Sequence, residues 1–227
     1  MSWSYMPISL TMKGRTCLVV GGGNVALRKV ETLLDYDTDI TVIAPEVDDK
    51  LKAFAERGKI KLEQRPYRSP EAGAFQLVVS AADDMAVNEQ VHDDAHGAGV
   101  LVNVADQPAL CDFIFPAVLR RDCLTTAIST DGQAPFMSGH LKLILDNIFP
   151  PHWNKLMKHA IKFRKMAMER WADDPVQKTA AYTQFLEADW KAMLKESDEA
   201  ALEAELKRLL EPVVKPTDEE PEPPSEG

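Results

Sequence analysis

The stretch Leu18-Val19-Val20-Gly21-Gly22-Gly23-Asn24-Val25-Ala26 constrains this chain more than any other feature. An apolar run suited to a buried strand passes without a break into the pattern G-x-G-x-x-A. Small residues at those positions let a turn close, let the backbone reach a pyrophosphate, and let the next helix pack close on the sheet. The N-terminus of that helix then faces the phosphates with unpaired N–H groups and a favourable dipole. Because the pattern follows a strand, precedes a helix and sits in the first βαβ unit, we read dinucleotide binding, with Gly21, Gly22, Gly23, Asn24 and Val25 as contacts. The alternative is a tight turn with a purely structural purpose.

From Thr16 to Val104 short β-rich runs alternate with stretches of helical length. The candidate strands are Thr16–Val20, Ile40–Ala44, Ile60–Gln64, Leu77–Ala81 and Val100–Val104. Between them Asn24–Leu34, Val47–Arg57 and Met85–His96 carry apolar residues along one helical side, the last ending at Gly97. This alternation predicts a parallel sheet covered on both faces. At the tip of the second strand, Pro45-Glu46 brings an acid where a ribose would be bound, and no Lys or Arg lies between Thr32 and Asp49 to meet a 2′-phosphate. The expectation is NAD rather than NADP.

After Val104 the pattern changes. Phe113–Leu119 and Leu124–Ser129 read as two β-runs joined by Arg120-Arg121-Asp122, a hairpin signal that opens a second module near Asp112. Helices are expected over Ser138–Ile148, Trp153–Trp171 and Thr179–Leu210, with an interruption near Asp173-Asp174-Pro175. The stretch 211–227, rich in proline and acids, reads as a disordered tail.

Composition excludes several classes. The 227 residues carry 26 Lys+Arg against 36 Asp+Glu, a net charge of −10, which disfavours a phosphate-backbone binder, so no nucleic-acid partner is expected. No apolar run approaches the roughly 18 residues of a membrane span, and the N-terminus lacks the features of a signal peptide, so the expectation is a cytoplasmic protein with no membrane partner. Cys17, Cys111 and Cys123 are scattered without C-x-x-C spacing, which supports neither disulfides nor a zinc knuckle. His92 and His96 stand at i, i+4 but lack the H-E-x-x-H arrangement, and an exposed pair with no bound metal is expected.

Beyond the glycine turn, further blocks carry a resemblance. Lys13-Gly14-Arg15, Val19-Val20-Gly21-Gly22-Gly23, Val25-Ala26 and Arg28-Lys29 are followed by Ala81-Ala82-Asp83-Asp84 with Asn88. Next come Asn103-Val104-Ala105-Asp106, Cys111-Asp112-Phe113-Ile114-Phe115-Pro116-Ala117, and Ala127-Ile128-Ser129-Thr130-Asp131-Gly132 with Ala134-Pro135. In order and spacing this resembles the precorrin-2 dehydrogenases of siroheme biosynthesis, over about residues 10–150. The resemblance implies an α/β fold: a Rossmann-like NAD-binding domain over 1–112, a small dimerisation module over 113–149 and a helical C-terminal module over 150–210, before the tail at 211–227.

The implied activity is NAD-dependent oxidation of precorrin-2 to sirohydrochlorin by a homodimer, with Asp106 as the catalytic carboxylate. Asp106 follows the fifth strand, where open α/β sheets gather their ligands, and a base there can accept a proton as hydride leaves. The other reading of Asp106 is a cap for the turn before Pro108. The resemblance extends the cofactor contacts to Ala81, Asp83 and Asn103, and assigns substrate contacts to Ser129, Thr130 and Gly132. Three departures stand out: Asp131 where many relatives have glycine, only His140 and Lys142 as basic groups after Pro135, and Ala105 where valine is common.

Lys155, Lys158, Lys162 and Lys165 recur at helical spacing in a stretch without acids. They form either a funnel for a substrate with eight carboxylates, with Lys155 and Lys158 as contacts, or a solvated face opposite Trp153, Leu156, Ala160, Phe163 and Ala167. Two rival functions remain at this point. One is a bifunctional dehydrogenase and ferrochelatase; the other, from a different class, is an NAD-sensing binding module. With no methyltransferase sequence after Pro212, the expectation is a free-standing enzyme supplied with precorrin-2 by another chain.

Overall fold

The computed structural model describes residues 5–196 and 198–212. Five strands, β1 (Thr16–Val20), β2 (Asp39–Ile43), β3 (Lys61–Glu63), β4 (Leu77–Ser80) and β5 (Leu101–Val104), form one parallel sheet in the order β3-β2-β1-β4-β5. Between them run α1 (Asn24–Leu34), α2 (Asp49–Glu56) and α3 (Met85–Gly97), with a 3-10 turn over Glu71–Ala74. The apolar runs lack alternation because both sheet faces are covered. Cys17 and Val19 point into a core with Ala26, Val30 and Leu33 of α1 and Leu51 of α2. Leu18 and Val20, one residue out of phase, join Val78, Val102 and Val91 and Ala95 of α3 on the other face.

Register does more for function than the core does. Val20 stands opposite Ile43 on one side and Ser80 on the other, and Ser80 stands opposite Val104. The last residues of four strands are therefore in line, and their following loops leave the sheet at one edge. Strand order reverses between β1 and β4, the switch point at which such sheets open a crevice.

The chain divides into two compact units, which in described residues are 5–116 with 129–135, and 117–128 with 136–212. The second unit holds the antiparallel hairpin β6 (Ala117–Arg121) and β7 (Leu124–Ile128), then α4 (Pro135–Ile148), α5 (Trp153–Arg170), α6 (Pro175–Glu187), α7 (Trp190–Glu196) and α8 (Glu199–Arg208). Phe163 is the centre of its core, with Leu156, Ala167, Phe185, Trp190 and Leu206 around it.

Several expectations need correction here. The first hairpin strand begins at Ala117, not Phe113, because residues 111–113 are tied to β5 instead. Arg120 and Arg121 lie in β6, and the turn is Asp122-Cys123, with Asp122 in the left-handed region at φ 54°. Arg121 is buried: its Nε donates to the Phe149 carbonyl at 2.6 Å and its guanidinium meets Asp146 at 2.5 Å, fastening the hairpin to the end of α4. The stretch expected as one helix over Thr179–Leu210 is three, α6 to α8. Pro175 starts α6 under an Asp174 cap, and Asp198 caps α8 through the Ala200 N–H. The second helix is shorter than Val47–Arg57 because Asp48 caps it through the Lys50 N–H. Of the expected tail, Glu211 and Pro212 are described, and the remainder lies outside the described residues.

Candidate active site

The three glycines of the turn meet two different demands. Gly21 has φ 122°, and a Cβ there would stand 2.2 Å from the Ala81 carbonyl oxygen; at Gly22 it would stand 1.9 Å from that of Glu46. Both positions are thus closed to side chains by the protein's own backbone. Gly23 is different, since a Cβ there would meet nothing within 4 Å. It is the N-cap of α1, and no side chain caps the helix. Exposed Gly23, Asn24 and Val25 therefore present an open helix start at the sheet edge, which fits the phosphates of a dinucleotide.

The loop after β4 is held from below. Asn88, buried on α3, accepts from the Ser80 hydroxyl at 2.7 Å and from the Ala82 N–H at 3.1 Å, and its amide donates to the Ala82 carbonyl at 2.8 Å. Asp84 caps α3 through the Ala86 N–H. Ala81 is thereby fixed against Gly21, while the Asp83 side chain is left exposed beside it. The sequence signal for this brace is an amide, Asn88, on the buried side of α3.

The loop after β5 carries Asp106, exposed and in the left-handed region at φ 58°. Its carboxylate has no hydrogen-bond partner among the described residues, so the turn before Pro108 is not closed by it. Cys111 closes that turn: its Sγ lies 3.2 Å from both the Val104 nitrogen and oxygen and 3.3 Å from the Gln107 carbonyl. Burial pushes this thiol up, against the Val104 N–H and the Lys29 charge, which pull it down. Asp112 then covers the edge of β5, its N–H donating to the Val102 carbonyl at 2.9 Å and its carboxylate accepting from the Val102 N–H at 3.0 Å. Asn103 is buried, and its amide nitrogen donates to the Phe113 carbonyl at 2.8 Å. Its Oδ1 is buried without a partner among the described residues.

Pro45 and Glu46 are exposed past the end of β2, and the Gly22 carbonyl accepts from the Asp48 N–H at 2.8 Å, so the β2 tip and the glycine turn are one piece. At the neighbouring β3 tip, Arg65 is occupied: it pairs with Glu63 at 2.5 Å and Glu71 at 2.7 Å. The expected substrate loop belongs to the same unit as the sheet. There Asp131 at φ 52° precedes Gly132 at φ 75°, and the Ser129 hydroxyl accepts from the Asp131 N–H at 3.0 Å while Thr130 Oγ1 accepts from the Ala134 N–H. Aspartate tolerates the left-handed region better than most residues, which is why it can stand at this position.

Lys155 and Lys158 lie on α5 in the other unit. Lys155 is 3.8 Å from Glu199, Lys162 pairs with Glu203 of α8, and Lys165 is 3.9 Å from Glu169. Most of the row is thus charge-compensated by acids that α5 itself largely lacks. His92 and His96 stack at 5.5 Å on α3.

A doubly covered parallel sheet with an open helix start at its switch point defines an NAD(P)-binding domain of the Rossmann class. Residues 8–117 match the NAD(P)-binding family model. The siroheme synthase of Nitrosococcus oceani is 39% identical over 166 residues, 73% of this chain and 36% of that protein. That of Pseudomonas putida is 35% identical over 210 residues, 92% and 44% respectively. The chain is thus similar to siroheme synthases over most of its own length. It spans less than half the length of these two relatives. Its fold matches that of SirC, a precorrin-2 dehydrogenase, with a TM-score of 0.72 at 23% identity over 90% of this chain and 98% of that one. Among the described residues no helix is long and apolar enough to cross a membrane.

Proposed function

We propose that this chain oxidises precorrin-2 to sirohydrochlorin with NAD⁺, with Asp106 as the base. The observation that carries the reading is Asp106 itself: an exposed carboxylate, held in a left-handed turn that Cys111 closes without it, at the sheet edge where the glycine turn opens. A side chain kept in an uncommon backbone conformation and excluded from the local hydrogen bonding is available for chemistry. NAD⁺ supplies the two-electron acceptor. The Gly23–Val25 helix start holds its phosphates, Glu46 meets the adenosine ribose, and the Ala81–Asp83 loop, braced by Asn88, borders the crevice. As one hydrogen leaves the substrate as hydride, Asp106 takes the proton that must leave with it, and NADH and one proton balance the oxidation. Ser129, Thr130 and Gly132 contact the tetrapyrrole.

The active form is a homodimer. An isolated two-stranded hairpin is marginal in water. In addition, α4 exposes Phe136, Met137, Leu143, Ile144 and Ile148, an apolar surface that a second copy would bury. Light scattering at about twice the chain mass supports this assembly, and a monomer at micromolar concentration refutes it. For the reaction, purified protein is given anaerobic precorrin-2 with and without NAD⁺, followed by Fe²⁺ or Co²⁺. Oxidation that requires NAD⁺ supports the reading, absence of oxidation overturns it, and metal uptake without NAD⁺ adds the ferrochelatase activity.

A further inference from the structure

Lys29 is an ammonium in an unusual place. It sits half-buried on α1, with Nζ 4.0 Å from the centre of the Phe115 ring. No carboxylate forms an ion pair with it among the described residues. Burial pulls its pKa down, and the groups whose charge opposes this are Cys111 and Asp106. Burying a lysine without a carboxylate at hydrogen-bonding distance costs stability that a ring face offsets only in part. The platform beneath it is rigid: Phe115 packs on Phe113 at 5.4 Å, and the Phe113 carbonyl is held by Asn103. The fold therefore maintains a partly desolvated cation over Phe115, with no hydrogen bond to it among the described residues and within electrostatic reach of the proposed base.

We propose that Lys29 receives a carboxylate of the acidic tetrapyrrole substrate beside Asp106. This rests on the function proposed above, and the chemistry asks for such a group. A polyanionic substrate brought against an exposed carboxylate is repelled, and a fixed cation beside that carboxylate turns the encounter attractive while orienting the ring. Phe115 confines the ammonium to one side, so the cation orients the substrate as well as attracting it.

The test compares Lys29→Met, which keeps the unbranched stem over Phe115 and removes only the charge, with Lys29→Arg, which keeps the charge. With saturating NAD⁺, Lys29→Met is expected to raise the KM for precorrin-2 at least about tenfold, to leave kcat within about threefold and to leave the NAD⁺ affinity unchanged, with Lys29→Arg restoring most of the loss. A merely structural stem predicts no change in KM for the methionine variant, and that result overturns the proposal. A loss confined to NAD⁺ affinity overturns it as well, because the anion received would then be a phosphate. Should Lys29→Met melt early, the wild-type enzyme decides: its KM must rise with salt more steeply than that of Lys29→Gln, and equal slopes refute the proposal. A wild-type protein that does not oxidise precorrin-2 at all refutes the underlying function instead, which is a separate outcome.

Discussion

The carbonyl oxygen of Ala81 lies 2.2 Å from where any Cβ on Gly21 would stand, whereas a Cβ on Gly23 would meet nothing. The two glycines of one pattern therefore serve different ends. Gly21 lets β4's loop close on the turn, and Gly23 leaves the start of α1 open. Gly21→Val is expected to destabilise the domain by several kcal/mol, through the backbone clash and its φ of 122°. Gly23→Val, at φ −87°, is expected to keep its melting temperature within a few degrees and lose NAD⁺ binding. Thermal melts paired with calorimetric titration separate the two. A Gly23→Val protein that binds NAD⁺ normally would make the turn structural only.

For Asp106, the φ of 58° makes asparagine the informative replacement. Alanine adds about 1–2 kcal/mol of backbone strain, while asparagine tolerates the conformation and removes only the charge. Asp106→Asn is expected to lower turnover at least about 10²-fold, with NAD⁺ affinity and melting temperature retained. Near wild-type oxidation by this variant would send the search for the base to the exposed Asp83.

Cofactor choice follows from two tips of the sheet. Glu46 is exposed beside the glycine turn, and Arg65, the basic residue just past β3, is held by Glu63 and Glu71. Binding of NAD⁺ is expected to be at least about tenfold tighter than that of NADP⁺, about 1.4 kcal/mol. Glu46→Arg should narrow or reverse the ratio in parallel titrations. Equal affinities in the wild type would remove Glu46 from the site.

His159 predicts an acid-labile helical unit. It is buried on α5 with Nε2 unpartnered among the described residues, and burial pulls its pKa down, aided by Lys155 and Lys162 and opposed by Glu199 and Glu203. With the folded value below the unfolded one of about 6.5, the unfolded chain binds the proton first as pH falls. Stability is therefore full above about pH 6.5 and declines below it until the folded pKa is passed. Melts of the wild type and His159→Leu between about pH 8 and 5 should diverge in slope, the variant being flatter. Parallel slopes would mean that His159 titrates normally.

The sequence by itself determined the strands and helices of the first unit closely. β1 and α1 run over the expected Thr16–Val20 and Asn24–Leu34, because strand periodicity, a glycine turn and helical amphipathicity are all local. It also marked where Asp106 stands in the chain and which glycines form the turn. Strand order, by contrast, came from nonlocal pairing: β4, not β2 alone, flanks β1, and that placement creates both the switch point and the Ala81 contact that Gly21 must allow. In the helical third, Trp153–Trp171 matches α5, but Thr179–Leu210 reads as one helix because apolar spacing persists across Asp189 and Asp198, and only the side-chain caps there, whose effect depends on local hydrogen bonding, start new segments. Cys111, Asn88 and Lys29 are ordinary residues at ordinary spacings. Their roles exist only once β5, α3 and α1 bring a thiol to Val104, an amide to Ala82 and an ammonium to Phe115, since such contacts join residues that periodicity cannot relate.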